Sequence, residues 1–267
     1  MEQAPPRIAA TLCLLTHNSE KTLAAALSSG ERFDEIILCD GASTDATRTI
    51  AQAHRATVID QDKAFLDAAG KLCDFAGARN QLIQAATHRW VFFLDSDELL
   101  TPELVEEIAM IVAADIPSAW HVLRRYLWQG REILYSTTYP NKQMRFFEKS
   151  CVNGYIRRVH ERPDPKPGAL IRTTTQAMLV PFGTLPELQR KWRQYIEIEA
   201  GLRPQLTWQK WLRIFVFHFK VSILYLLRLI PLLFRPLHTR LPIRIEVARH
   251  EYHFWLLQRL AKNVTLR

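Results

Sequence analysis

The chain has 267 residues, of which 48% are hydrophobic and 23% charged, and a formal net charge of +8. This is ordinary globular composition, long enough for one large domain or for one domain with an appendage. No internal repeat or low-complexity stretch occurs, and the four cysteines (Cys13, Cys39, Cys73 and Cys151) form no C-x-x-C pair. Cys13 and Cys39 lie in apolar, strand-like runs, which fits reduced core thiols of a cytosolic protein. The opening MEQAPPRIAATLCLL has no cationic leader and no small-residue cleavage site, so it does not read as a secretory signal. The charge is uneven: from Leu185 onward there are 15 Lys+Arg against 5 Asp+Glu, while the first 184 residues hold 20 against 22. Such asymmetry points to a polyanion, either nucleic acid or a membrane surface.

In chain order, Arg7 to Leu15 is an apolar run ending in Thr16-His17-Asn18, followed by a helical segment from Ser19 to Leu27. Asp34 to Cys39 is a second strand ending in Asp40-Gly41, after which Ser43 or Thr44 can cap a helix through His54. Ala56 to Ile59 is a short third strand, Gly70 to Thr87 a helix and Trp90 to Leu94 a fourth strand. Thr101-Pro102-Glu103 opens another helix with a cap, a first-turn proline and a first-turn acid. This alternation predicts an α/β fold: a mostly parallel, Rossmann-like sheet with helices on both faces. From Ala119 to Phe182 the helical period gives way to short runs suited to strands at one sheet edge; beyond Leu185 the chain is helical again. The expected division is a catalytic domain over 1–184 and a basic, amphipathic helical region over 185–267.

In an open parallel sheet, ligands bind at the carboxyl ends of the strands. Three expected strands end there in polar residues: Thr16-His17-Asn18, Asp40-Gly41, and Asp95-Ser96-Asp97 with Glu98 beside it. Like charges crowded at the end of a buried strand repel strongly in low dielectric. A divalent cation, Mg²⁺ or Mn²⁺, would relieve that repulsion, and Mg²⁺ takes only one or two carboxylates when phosphate oxygens complete its shell. Asp95 and Asp97 therefore suit a metal that carries a diphosphate. Neither a P-loop nor a G-x-G-x-x-G fingerprint is present. Arg79, in GARN, suits bidentate phosphate contact and equally suits pairing with a neighbouring carboxylate.

The segments TLCLLTHNSEKTLAAAL, IILCDGASTDATRTIA, FAGARNQLIQAATHRWVFFLDSDE and the later VHE resemble the inverting glycosyltransferase family 2, whose fold is the A-type nucleotide-diphospho-sugar transferase fold (GT-A). The more specific resemblance is to its branch of lipopolysaccharide-core glucosyltransferases, and it covers roughly residues 8 to 162. It implies that Thr16 and Asn18 line the nucleotide, that Asp40 bonds the base and that Arg79 sits beside the nucleotide. His17 stands where a tyrosine or phenylalanine is common and would take the stacking position. Asp95 and Asp97 become the metal and diphosphate motif. An inverting transfer needs a base for the acceptor hydroxyl. The resemblance gives that role to Glu161, with His160 as its neighbour or as a metal or phosphate contact, and Glu98 in reserve; the plainer reading pairs Glu161 with Arg158 or Arg162 on the surface. The implied partners are a nucleoside-diphosphate-sugar donor and a glycolipid or oligosaccharide acceptor of the cell envelope. Nucleotidyl transfer to a sugar phosphate and a non-catalytic membrane-associated scaffold are the alternative readings.

The stretch Trp211 to Leu237 is strongly apolar, yet Arg213, Lys220, Arg228 and Arg235 recur every seven or eight residues. Spacing near 3.5 places these cations on one stripe of a helix. No uninterrupted apolar run approaches the ~20 residues that span a bilayer. The expectation is an interfacial helix on anionic inner-leaflet lipid, peripheral on the cytoplasmic face of the inner membrane. Nucleic acid is not expected, because the cations interrupt an apolar surface and form no dense patch.

Overall fold

Strand β1 (Ile8–Thr16) carries the first apolar run and is buried along almost its whole length, as befits a central strand of a parallel sheet. The computed structural model, which describes residues 5–68 and 70–265, continues with α1 (Leu23–Ser29), β2 (Phe33–Asp40), α2 (Thr47–Ala53) and β3 (Thr57–Asp60). Next come α3 (Phe75–Ala85), β4 (Trp90–Asp95) and α4 (Pro102–Ala114). β1 pairs in parallel with both β2 and β4, and β2 with β3. This half of the sheet is the alternating parallel architecture expected.

The other half is antiparallel. It is built from β5 (Ala119–Trp128), β6 (Arg131–Glu132) and β7 (Asn141–Glu148), then, after the separate hairpin of β8 (Val152–Ile156) and β9 (Arg162–Pro165), from β10 (Ile171–Pro181). The sheet order is β10-β5-β7-β4-β1-β2-β3, with β6 on β5. β7 runs antiparallel to β4, and β5 antiparallel to β7. The sheet is thus mixed, and β7 lies directly beside the strand that ends in Asp95.

Alternation along the strands feeds two cores. Ala10, Leu12 and Leu14 of β1 pack with Leu27 of α1 and with Leu104 and Ile108 of α4. Cys13, Ile37 and Cys39 point the other way, among the residues of α3 that include Ala78 and Leu82. Helices therefore cover both faces, and Cys13 and Cys39 are free, buried thiols as expected.

Three helices begin later than expected, the first of them α1, which starts at Leu23 and not at Ser19. Ser43 spends its N–H and its hydroxyl on Asp40, and the Thr44 N–H donates to Asn18 Oδ1. Neither hydroxyl caps α2: Ser43 Oγ accepts the Asn18 N–H instead, and at Thr47, where the helix starts, the N–H donates to Asp45 Oδ1. Helix α3 begins at Phe75, where the Asp74 carboxylate accepts the Gly77 N–H at 2.9 Å. The preceding residues instead form a 3-10 turn (Lys63–Phe65) and an antiparallel bridge between Leu66 and Leu72. That loop packs closely on α3, because a Cβ at Gly77 would sit 2.5 Å from ring atoms of Phe65. Helix α4 starts where its signals place it, with Thr101 Oγ1 accepting the Leu104 N–H at 3.2 Å.

The chain forms two compact units: the residues up to Arg125 together with Pro140–Pro181, and Tyr126–Tyr139 together with the chain from Phe182 on. The second holds α5 (Leu185–Gly201), β11 (Leu206–Thr207), α6 (Trp208–Leu232), α7 (Ile243–Ala261) and β12 (Val264–Thr265). A boundary after residue 184 does not anticipate that Tyr126–Tyr139 joins the helical unit. The tie is specific: Glu246 of α7, 2% exposed, accepts the N–H and the hydroxyl of Thr137.

Helix α3 carries Arg79, so its cap sets the position of a site residue. Asp74→Ala should cost about 1 kcal/mol in denaturant unfolding, while Asp74→Asn, which can still accept, should lose only a few tenths. Equal losses would assign the effect to the Asp74–Arg158 ion pair at 3.7 Å.

Candidate active site

The parallel register sets Thr16 opposite Asp40 at the ends of β1 and β2. The Thr16 hydroxyl donates to Asp40 Oδ1 at 3.0 Å. Asp40 also accepts the Ser43 hydroxyl at 2.6 Å, the Ser43 N–H at 3.0 Å and Arg48 Nε at 2.9 Å. Burial pushes this carboxyl up, but the donors from Ser43, Arg48 and Thr16 outweigh it and hold it below the ordinary carboxylate range. All four acceptor positions of the carboxylate are filled. A nucleobase donor would have to displace one of these bonds, so the structure makes Asp40 the organiser of the loop first.

His17 is exposed. Its Nδ1 lies 2.7 Å from Gly41 O, and since a carbonyl only accepts, the proton sits on Nδ1. Nε2 is then the acceptor for Asn18 Nδ2 at 3.3 Å. Asn18 takes a left-handed φ of 49°, and its backbone N–H donates to Ser43 Oγ at 2.9 Å. Ser19 Oγ lies 3.0 Å from Ser96 Oγ, between the two acids of the D-x-D. These bonds bring the three expected polar clusters together along one sheet edge.

Two acids of the triplet, Asp95 and Glu98, find their cationic partners in arginines of the chain itself. Arg145 of β7 donates to both oxygens of Asp95, at 3.0 and 2.7 Å, and Arg79 of α3 adds a third bond at 2.8 Å. Arg79 Nε reaches Glu161 Oε1 at 2.9 Å. Glu98, 1% exposed, pairs with Arg124 and lies 3.5 Å from Arg145, and its Oε2 accepts the Asp95 N–H at 3.1 Å. Three carboxylates and three guanidiniums thus alternate from Glu161 through Arg79, Asp95 and Arg145 to Glu98 and Arg124. Burial raises the Asp95 carboxyl, yet Arg145 and then Arg79 hold it well below the usual range. The Arg79 guanidinium also lies 5.6 Å from the Phe93 ring centre and 5.5 Å from that of Tyr155.

Several expectations change in consequence. Glu98 is enclosed and ion-paired, which removes it from the reserve-base role. Glu161 pairs with Arg79, not with Arg158 or Arg162. Asp95 has both oxygens committed to Arg145 and is no ready metal ligand. Among the described residues no group of three or more His, Cys, Asp or Glu side chains is assembled to hold a metal. Asp97 is exposed on the turn after β4, and His160 is exposed with a left-handed φ of 51°. Mg²⁺ can be held by one carboxylate when phosphate and water complete its shell, so Asp97 is the residue that would hold a divalent ion beside a bound diphosphate.

Sequence reasoning missed Arg48, Arg124 and Arg145. For Arg145 a signal existed: a lone cation inside the apolar strand QMRFFE needs a buried partner, and the acids of residues 95–98 were still in need of one.

A model described as glycosyl transferase family 2 matches residues 11–163, more than half of the chain. The chain is 30% identical over 155 residues to the SPbeta prophage-derived glycosyltransferase SunS of Bacillus subtilis, covering 57% of this chain and 34% of that protein. It is 28% identical over 121 residues to the lipopolysaccharide core biosynthesis glycosyltransferase LpsC of Rhizobium meliloti, covering 45% of this chain and 43% of that one. It therefore spans less than half the length of either relative. The structure of S. aureus TarS 1-349 in complex with UDP-GlcNAc shares the fold, with a TM-score of 0.50 and 14% identity over 72% of this chain and 64% of that one. On the extent of the family match, this chain belongs to glycosyl transferase family 2.

Proposed function

We propose that the chain transfers a sugar from a nucleoside-diphosphate donor to a glycolipid or oligosaccharide of the cell envelope, with inversion at the anomeric carbon. The observation that carries this reading is Glu161, held by Arg79 Nε at 2.9 Å, in the same ion-pair chain as Asp95 at the carboxyl end of β4. That edge is where an open α/β sheet takes its ligands. The name of LpsC supports an envelope acceptor, and the UDP-GlcNAc in the TarS structure supports a donor of this class.

The chemistry follows from how Glu161 is bonded. Arg79 fixes Oε1, while Oε2 has no hydrogen bond among the described residues. The acceptor hydroxyl gives its proton to Oε2 as its oxygen bonds to the anomeric carbon from the face opposite the diphosphate. The bond from that carbon to the diphosphate oxygen breaks, and its electron pair leaves with the nucleoside diphosphate. Arg79 keeps the base oriented and helps balance the charge of the leaving group. A divalent ion at Asp97 would supply further stabilisation of that charge. Thr16, Asn18 and the exposed His17 ring shape the donor edge, with the ring open for stacking on a base. His160, next to the base, is placed to contact substrate.

Glu161→Gln should lower the transfer rate by about 10² to 10⁴ while donor binding, read by thermal shift, stays as in the wild type. Retained transfer would remove Glu161 from the role of base. Asp97→Ala and Asp95→Asn should separate binding from folding. Asp97→Ala should abolish the Mn²⁺-dependent part of the nucleoside-diphosphate thermal shift with little change in the unliganded melting temperature. Asp95→Asn should destabilise the unliganded protein by about 3 kcal/mol, the low end for a broken buried pair, because its side chain is 34% exposed. The reverse pattern would return Asp95 to the metal.

A further inference from the structure

Helix α6 is held by one narrow seam. Trp211, Ile214, His218 and Tyr225 are partly buried, Leu232 is buried, and the intervals of three, four and seven residues place them on one stripe. Trp211 Nε1 donates to Leu257 O of α7 at 3.2 Å, and His218 Nδ1 meets His253 Nδ1 of α7 at 2.8 Å. Away from the seam the helix is exposed, and its widest free arc is apolar. Leu212, Phe215, Phe219, Ile223, Leu227 and Ile230 follow one another at three- and four-residue steps, each at least 37% exposed. Helix α5 of the same unit behaves in the ordinary way: its exposed residues include Glu187, Arg190, Lys191, Arg193 and Glu197. An apolar patch this continuous marks an interaction surface.

The charge around it is one-sided. Between Glu199 and Glu246 there are eight Lys and Arg and no acid, while the remaining 27 Lys and Arg of the chain balance 27 Asp and Glu. The expected stripe of four cations does not hold as one surface. Arg228 Nη1 donates to Thr137 O at 3.2 Å, and the Arg235 guanidinium stacks 4.5 Å from the Tyr135 ring centre. Arg213 and Lys220, seven residues apart and exposed, lie together along one side of that apolar arc.

We propose that this arc of α6 lies in the interface of an anionic phospholipid bilayer, its axis along the membrane plane and Arg213 and Lys220 at headgroup level. The inference rests on unit geometry and charge, independently of the reaction proposed above. A second copy of the chain fits less well. A two-fold contact would bring the same cations together, with no acid on the helix to pair them. A spanning orientation is open by length alone, since 25 residues reach about 37 Å and an 18-residue window within them has a mean hydropathy of 1.7. It would, however, place Lys220 near the bilayer centre, where a cation is costly, whereas a helix lying flat lets Lys220 extend to the headgroups.

Flotation of the full chain tests this with phosphatidylcholine vesicles and with vesicles containing about one quarter phosphatidylglycerol. The protein should float with the anionic vesicles at low salt and be released at high salt. Replacing Arg213 and Lys220 by Gln should lower partition by about fivefold per charge. The double change Phe219→Asp and Ile223→Asp should abolish flotation and leave the melting temperature unchanged, because neither residue belongs to the seam. A wild-type chain that stays soluble with anionic vesicles would overturn the proposal, as would an aspartate variant that still floats. Resistance of the bound protein to alkaline carbonate would replace it with a spanning helix. A dimer, seen by light scattering and dissociated by the aspartates while vesicle binding persists, would replace it with a contact between copies.

Discussion

The bidentate grip of Arg145 on Asp95 is the contact on which the candidate site depends. It joins β7, in the antiparallel half of the sheet, to the carboxyl end of β4, in the parallel half. Through Arg79 the same carboxylate reaches α3 and Glu161, and through Glu98 it is linked to Arg124 of β5. Five segments distant in sequence are thereby registered at one point. Such a cluster is poor evidence for stability, since desolvating six charges offsets much of their mutual attraction. Its value here lies in specification: in the observed register of β7 against β4, Arg145 reaches both Asp95 and Glu98.

This arrangement divides the acids by accessibility. Asp95 and Glu98 sit within a balanced network and hold geometry. Asp97, two residues on from Asp95 in the turn, is exposed. Glu161 is intermediate, with one oxygen fixed by Arg79 and the other without a hydrogen bond among the described residues. Asp40 belongs with the first pair, since Thr16, Ser43 and Arg48 fill its lone pairs. A D-x-D pattern gives both acids equal standing, but the backbone does not: Asp95 ends the strand while Asp97 lies in the turn.

The parallel half of the fold was legible because β1, β2 and β4 are near-continuous apolar runs punctuated by polar ends, a pattern set by local burial. Helix α4 was legible for the same kind of reason, with Thr101, Pro102 and Glu103 all giving local signals. The late start of α2 was not. Ser43 and Thr44 look like caps, and only the fold reveals that Asp40 and Asn18 claim their donors first. Arg145 lies 50 residues from Asp95, so no window along the sequence joins them. Glu98 likewise read as a reserve base, and only the fold shows Arg124 and Arg145 pairing with it. The amphipathic character of α6 was readable, but the partners of Arg228 and Arg235 depend on residues 126–139 joining the helical unit.

The chain therefore carries two kinds of charge. Around Asp95, three acids and three arginines cancel within a few ångströms, where low dielectric makes each pairing strong and added salt can do little. Along α6, Arg213 and Lys220 have no such compensation and face solvent. Their field extends about 10 Å at 0.1 M salt and shrinks as salt rises. A balanced buried cluster has no reach and fixes shape; an unbalanced exposed set fixes no shape and acts at a distance. Ionic strength should accordingly weaken whatever α6 attracts long before it disturbs the geometry that holds Glu161, because only the former draws its energy from charges left in water.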